Sequence, residues 1–246
     1  MKGEFSFHNG TELALVLEVE RNAENCNPFS VINVIDNFCY QRHWMMHVGE
    51  KRIYIENEIE RLKSLKESLT CVEIGSYCGY SATVIASKFS HGDKLFCIEN
   101  NPKCIEWTKR ILSKSGLLNN FCQLLLGTSA DYIDYLKSKI KSIDILFIDH
   151  DKKMYLSDLK LFESSGLLVS GSTIIADNVL TFGSELKPYL DYVRNSGKYS
   201  SNTLHHARLE YSNDIQDMMP EKESSGIISN EIENNFIDGV DVSIYA

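Results

Sequence analysis

The chain lacks an excess of basic residues. Its 25 lysines and arginines face 34 acids, for a formal net charge of −9. That balance argues against a phosphate-backbone partner, because nucleic-acid binders need a basic face. Long apolar runs are missing too; none approaches the length of a membrane span. The opening stretch MKGEFSFHNG has no apolar h-region, so no secretory leader is expected. The seven cysteines, an odd number, show no C-x-x-C or other metal-ligand spacing. They read as buried free thiols in a reducing cytosol. Internal repeats are absent. What remains is an ordinary soluble composition, 43% hydrophobic and 24% charged, in 246 residues. That length suffices for one large domain with a full core.

From residue 71 onward short apolar runs alternate with amphipathic stretches. CVEIG (71–75), KLFCIE (94–99), CQLLLG (122–127), DILFID (144–149) and STIIAD (172–177) are strand-like, each ending at a glycine or an acid. Helical patterns fill 81–90, 102–116, 129–140 and 155–166, with Pro102 at one start and Gly116 and Gly166 just past two ends. This alternation predicts βαβ units and an α/β, doubly wound, mostly parallel sheet. Residues 11–65 are expected to be helical, with Val31, Ile32, Val34, Ile35 and Phe38 on one face. After a last helix at 184–196, TLHHARLEYS (203–212) alternates like an edge strand, and DGVDVSIYA closes the chain with a seventh strand. Between them, 213–235 is polar and weakly patterned, as in a mobile insertion loop. The expected organisation is a single domain, 1–246: N-terminal helices over 11–70, a core over 71–212, the insertion, and a last strand over 236–246.

Open α/β sheets bind ligands beyond the carboxyl ends of their strands, and the unusual polar groups fall there. In EIGSYCGYS (73–81), Gly75 and Gly79 allow a tight turn and close backbone approach to a ligand. Their spacing is G-x-x-x-G, not the G-x-G-x-x-G that wraps a pyrophosphate. Glu99 ends the second strand 24 residues after Gly75, where a carboxylate can accept both hydroxyls of a ribose. A nucleoside without a pyrophosphate fits the pair, S-adenosylmethionine being the candidate; a generic strand-to-helix turn with a surface glutamate is the alternative. Asp149 ends the fourth strand, and Asp177 and Asn178 end the fifth. Three oxygen donors without cysteine or histidine suit a hard divalent ion, Mg²⁺ above all. The alternative is that such acids cap the following helices. Lys152, three residues past Asp149, is either a surface lysine, as Lys153 is expected to be, or a base beside a metal-bound hydroxyl.

At these residues the chain resembles the catechol O-methyltransferases, class I S-adenosylmethionine-dependent methyltransferases with a Rossmann-like fold. The matching stretches are NPFSVINVIDNFCYQRHWMMHVG (27–49), VEIGSYCGYSA (72–82), IENNP (98–102), FIDHDKKMY (147–155), IIADNV (174–179) and RLEY (208–211). The resemblance implies that Asp149, Asp177 and Asn178 hold Mg²⁺, that Lys152 is the general base, and that Glu210 hydrogen-bonds the second catechol hydroxyl. It assigns the methyl donor to Val48, Glu73, Gly75, Tyr77, Ser81, Glu99, Asn100, Ser129, Asp149 and His150. It places Trp44 and Met46 in a wall near the sulfonium, and puts Lys152, Asn178, Phe182 and Glu210 beside the acceptor. Three positions depart from the family pattern. Asp151 replaces an aromatic residue, Phe182 replaces a proline, and His47 stands where the family has an amide. A more polar wall on one side and a bulkier one on the other imply an altered acceptor preference, toward an amine-bearing catechol that pairs with Asp151.

The implied activity is Mg²⁺-dependent methyl transfer from S-adenosylmethionine to one hydroxyl of a small catechol, by a monomer in the cytoplasm without nucleic acid or membrane. A different vicinal diol or a caffeoyl-type phenylpropanoid would use the same site. A ribose 2′-O-methyltransferase shares a Lys/Asp/Glu set, but the net charge of −9 speaks against RNA. A nicotinamide dehydrogenase would need the missing pyrophosphate glycines. A catalytically silent S-adenosylmethionine-binding module would need a blocked pocket.

Overall fold

A computed structural model describes residues 10–42, 46–208 and 237–246. Three helices come first: α1 (Thr11–Asn22), α2 (Pro28–Gln41) and, after a 3-10 turn at Gly49–Lys51, α3 (Arg52–Lys63). Asn27 caps α2, its side chain accepting the Ser30 N–H, and Pro28 occupies the first turn, where a missing N–H costs nothing. The predicted face of α2 is the packed one: Val31, Ile32, Ile35 and Phe38 are buried, with Val34 half-buried beside them.

The remaining elements alternate. They are β1 (Thr70–Ile74), α4 (Tyr80–Ser87), β2 (Lys94–Glu99), α5 (Pro102–Lys114), β3 (Cys122–Leu126), α6 (Ser129–Lys139), β4 (Ile143–Ile148), α7 (Tyr155–Ser165), β5 (Leu168–Ala176), α8 (Gly183–Asn195), β6 (Tyr199–Arg208) and β7 (Ile237–Tyr245). The strands form one seven-stranded sheet in the order β3-β2-β1-β4-β5-β7-β6. All pairings are parallel except those of β7, which runs antiparallel to both β5 and β6. This is the doubly wound, mostly parallel sheet that the alternation predicts.

Side-chain alternation divides the core between the two faces. In β4, Ile145 and Phe147 pack with α1 to α5, whereas Leu146 and Ile148 pack with α6, α7 and α8. Because both faces are covered, β4 is apolar at every position but Asp144, which accepts the Thr70 N–H and a hydrogen bond from Lys66. The chain order reverses between β1 and β4, so their carboxyl ends open the switch-point crevice in which such sheets bind ligands.

Several boundaries move. β5 begins four residues before the predicted segment, passing through Gly171 at φ +89°. β6 likewise begins at Tyr199, and it is the sheet edge, as expected. β7 reads as polar–apolar alternation, yet six consecutive residues in it are buried because it lies inside the sheet. Its polar positions find internal partners instead of water: Asp241 accepts from Asn202 and Ser243, and Asp238 from Lys51. Six cysteines are buried free thiols, and Cys26 is an exposed one. The expected insertion at 213–235 lies outside the described residues. Among the described residues, no helix is long and apolar enough to cross a membrane.

Candidate active site

Register places the chemistry. Ile74 of β1 pairs with Ile148 of β4, which pairs with Ala176 of β5, so Gly75, Asp149 and Asp177 follow on adjacent strand tips. The Asp149 N–H donates to the Ile74 carbonyl at 3.0 Å, and the Asp177 N–H to the Ile148 carbonyl at 3.1 Å. Gly75 adopts φ +93°, and a Cβ added there would lie 2.3 Å from the Asp149 carbonyl oxygen. Only glycine lets the β1 tip pass so close to its neighbour.

A cleft of about 880 Å³ opens over these tips, a size that suits a nucleoside and a small second ligand together. Gly75, Tyr77, Glu99, Asn100, Ser129 and His150 line it, as do Asp149, Lys152, Asn178 and Phe182. A small recess of about 40 Å³ shares Gly75, Tyr77 and Asp149 with it and is walled by Met46, Val48 and Ser81. Glu73 sits behind this recess, fully buried. Ser81 donates to one of its carboxylate oxygens at 2.5 Å, while the other oxygen is buried without a partner. Burial therefore pushes the Glu73 carboxyl up to about 7, against the opposing pull of the Ser81 hydrogen bond. Glu99 ties two loops together, accepting the Tyr77 N–H at 3.1 Å and the Asn101 N–H at 2.8 Å through different oxygens. Each oxygen retains a lone pair for a further donor.

Lys152, on the 3-10 turn Lys152–Met154, occupies the centre of the acidic tips. Its Nζ donates to Asp149 Oδ1 at 2.7 Å, to Asn178 Oδ1 at 2.8 Å and to the Tyr155 hydroxyl at 2.9 Å. It also lies 5.5 Å from the centroid of the Phe182 ring. Lys153, by contrast, is exposed. The oxygens of Asp149 and Asn178 thus converge on a single cation. Asp177 is buried one residue from Asn178; its Oδ1 accepts the Asn178 N–H and pairs with the Lys51 ammonium, both at 2.7 Å. Among the described residues, no three acidic, histidine or cysteine side chains gather as a metal cluster. A metal here would depend on the amide oxygen of Asn178 alongside the two carboxylates, an all-oxygen set of the kind hard cations take.

Residues 32–202 match the family model described as O-methyltransferase. The chain belongs to that family. Catechol O-methyltransferase B of Danio rerio is 38% identical over 190 residues, 76% of this chain and 69% of that one. Catechol O-methyltransferase of Bos taurus is 35% identical over 82% of this chain and 72% of its own. A transmembrane O-methyltransferase of Homo sapiens is 29% identical over 74% of this chain and 62% of that protein. The fold is shared with an O-methyltransferase of Bacillus cereus solved with S-adenosylhomocysteine, at a TM-score of 0.60 and 14% identity over 100% of this chain and 94% of that one. A Podospora anserina methyltransferase matches equally well, at a TM-score of 0.60 and 17% identity over the full length of both. The protein is a catechol O-methyltransferase-like, S-adenosylmethionine-dependent O-methyltransferase.

Of the residues singled out in the sequence of this methyltransferase, Trp44 and Glu210 lie outside the described part. The others gather at the cleft or its recess, apart from Glu73 behind Ser81, Asp177 beneath Asn178, and Gly79 at the start of α4, which packs against Thr108 and lines neither. Sequence reasoning passed over Lys51, Asp158, Tyr155 and Asp238. Asp158 accepts from His150 Nε2 at 2.7 Å and from the Ser129 hydroxyl at 3.2 Å, so it orients two cleft residues at once. Its position in the first turn of α7, eight residues after His150, was the available signal. Lys51 and Asp238 carried none, since their pairing spans 187 residues.

Proposed function

We propose that this methyltransferase transfers a methyl group from S-adenosylmethionine to one hydroxyl of a small catechol, with Mg²⁺ held by Asp149, Asp177 and Asn178. The observation that carries the reading is the convergence of Asp149 Oδ1 and Asn178 Oδ1 on one cation, in the cleft that Gly75 and Glu99 also line. S-adenosylmethionine, when bound, supplies the electrophilic methyl carbon. Mg²⁺, when bound, makes a catechol hydroxyl more acidic, as divalent ions do for bound water.

The protein's part is to orient the acceptor and take its proton. The neutral amine of Lys152 is proposed to accept the proton of the attacking hydroxyl; its Nζ lies within hydrogen-bond reach of two of the proposed metal ligands, Asp149 and Asn178, which supports the reading. Glu210 is proposed to hold the second hydroxyl. Glu99 is proposed to take the ribose hydroxyls, with Val48, Glu73, Tyr77, Ser81, Asn100, Ser129 and His150 around the donor and Met46 and Trp44 beside the sulfonium. Fixing both reactants in line supplies the proximity contribution that an in-line displacement needs. The relatives named catechol O-methyltransferase support the acceptor class. The six buried thiols support a reducing compartment such as the cytosol, where the protein is proposed to act as a monomer on a small molecule.

The test incubates the protein with labelled S-adenosylmethionine and a catechol, with Mg²⁺ or with EDTA. Product is expected only with the metal. Lys152→Met is expected to lower kcat by about 10²–10⁴-fold, the usual share of a general base, with donor affinity retained. Undiminished product in EDTA would sink the metal reading; undiminished turnover by Lys152→Met would sink the assignment of the base.

A further inference from the structure

Asn178 carries a two-sided amide on a left-handed backbone, φ +59°, at the tip of β5. Its usefulness to a cation depends on which end of the amide faces the cleft. If the oxygen faces it, the side chain attracts a cation; if the NH₂ faces it, the side chain repels one. Two neighbours settle this from opposite sides. The Lys152 ammonium has no lone pair and donates, and it contacts Oδ1 at 2.8 Å. Asp238 Oδ2 lies 2.9 Å from Nδ2, and a carboxylate can only accept. A flipped amide would set oxygen against oxygen at Asp238 and NH₂ against ammonium at Lys152.

Asp238 is itself held from every side. It is fully buried at the start of β7, 60 residues along the chain from Asn178. Oδ2 also receives the Lys51 ammonium at 2.6 Å, and Oδ1 receives the N–H groups of Leu180 and Thr181 at 3.3 and 3.0 Å. The Lys51 ammonium and the two N–H groups all donate to this carboxylate, so it faces Asn178 as an acceptor. The same Lys51 Nζ contacts Asp177 Oδ1 at 2.7 Å. One buried ammonium from the N-terminal 3-10 turn therefore anchors both tip residues of β5, Asp177 directly and Asn178 through Asp238.

We infer that Asp238, fixed by Lys51, is a positioning residue that keeps the Asn178 amide oxygen turned toward Lys152 and Asp149 and so sets the affinity of the site for a divalent cation. This rests on the proposed metal reading but assigns roles that the reading does not need. Asp238 and Lys51 touch no proposed ligand position of the donor, so their effect should fall on the metal alone.

The experiment titrates the full chain with Mn²⁺ by electron paramagnetic resonance, and separately with S-adenosylmethionine by calorimetry. Asp238→Ala is expected to weaken Mn²⁺ binding tenfold or more while donor affinity stays within twofold. The metal concentration for half-maximal turnover should rise with it, and kcat at saturating metal should stay within threefold. Because Asp238→Ala leaves Lys51 buried with one acid fewer, a second variant removes the pair together. Lys51→Met with Asp238→Leu replaces the ion pair by apolar volume, a change that folded proteins often tolerate. It should show the same selective loss. Mn²⁺ affinity within twofold of wild type in either folded variant would overturn the inference, as would failure of both to fold, which would make the pair structural. Wild-type protein that binds no Mn²⁺ would overturn the metal reading as well; wild type that binds, with variants that bind equally, would overturn only this inference.

Discussion

Gly75 shows how one residue type can be dictated by its neighbour. Any other residue would have to hold φ +93°, at about 1–2 kcal/mol for a left-handed conformation, and force its Cβ against the Asp149 carbonyl. Gly75→Ala should therefore cost more than that strain alone and lower the melting temperature by several degrees, at about 2–4 °C per kcal/mol for a chain of this size. Because the relief must come from Asp149, calorimetry should also find weaker donor binding; an alanine variant of wild-type stability would contradict the packing. The glycine was readable in the sequence because a strand followed by G-x-x-x-G has a recognisable local shape. Glu73 was placed at the site only by family resemblance, since nothing local announces that a strand carboxylate will be buried. With its carboxyl raised to about 7 by burial, the folded state holds a proton that the unfolded chain releases near the usual carboxylate value of 4.5. Stability from this group is thus complete below that value and is lost as pH rises through about 7. Glu73→Gln, which keeps an acceptor for Ser81, should gain on wild type in thermal melts at pH 8 by on the order of 1–3 kcal/mol more than at pH 4.5. An equal difference at both pH values would show that Glu73 does not titrate in this window.

At the scale of elements, the parallel strands were legible and the antiparallel pair was less so. β1, β2, β4 and the end of β5 are buried on both faces, which leaves near-continuous apolar runs that propensity alone identifies. β7 hides its character because Asp241 and Ser243 look like a solvent-facing stripe and Asp238 like a strand-end acid, yet they are satisfied by Asn202 and Lys51 from elsewhere in the chain. No local pattern encodes a partner that far away. The start of α6 sits between these cases. Asp131 Oδ2 accepts the Thr128 N–H at 2.8 Å and its hydroxyl at 2.7 Å, a capping arrangement that fixes the turn where Ser129 meets the cleft. Thr128→Ala should cost about 1 kcal/mol of stability in denaturant unfolding, and Thr128→Ser should restore most of it. A Thr128→Ala variant as stable as wild type would mean that the backbone contact alone holds the helix start.

Across the whole molecule, the topology and the charge act on the same cleft. The switch point between β1 and β4 fixes where ligands enter, and a formal net charge of −9 gives the molecule as a whole a negative balance toward approaching ligands. Asp151 stands in the cleft wall; its Oδ1 accepts only the Lys153 N–H among the hydrogen bonds described, and the residue is exposed. On the proposed reading, an amine-bearing catechol is expected to be favoured twice, by long-range attraction and by a local carboxylate, and an acidic catechol to be opposed by both. The two contributions separate by experiment. Raising ionic strength should lower kcat/KM for dopamine and raise it for dihydroxybenzoate, because screening removes the long-range part. Asp151→Asn should lower the dopamine-to-dihydroxybenzoate ratio of kcat/KM by about two- to fivefold, the range of an exposed ion pair. The reduction should persist at high salt to the extent that the contact is direct. If the ratio responds to salt and not to the substitution, the whole-molecule field selects the acceptor and Asp151 is only part of that field. If it responds to neither, acceptor choice rests on shape, and the half-buried Phe182 ring beside Lys152 becomes the residue to vary.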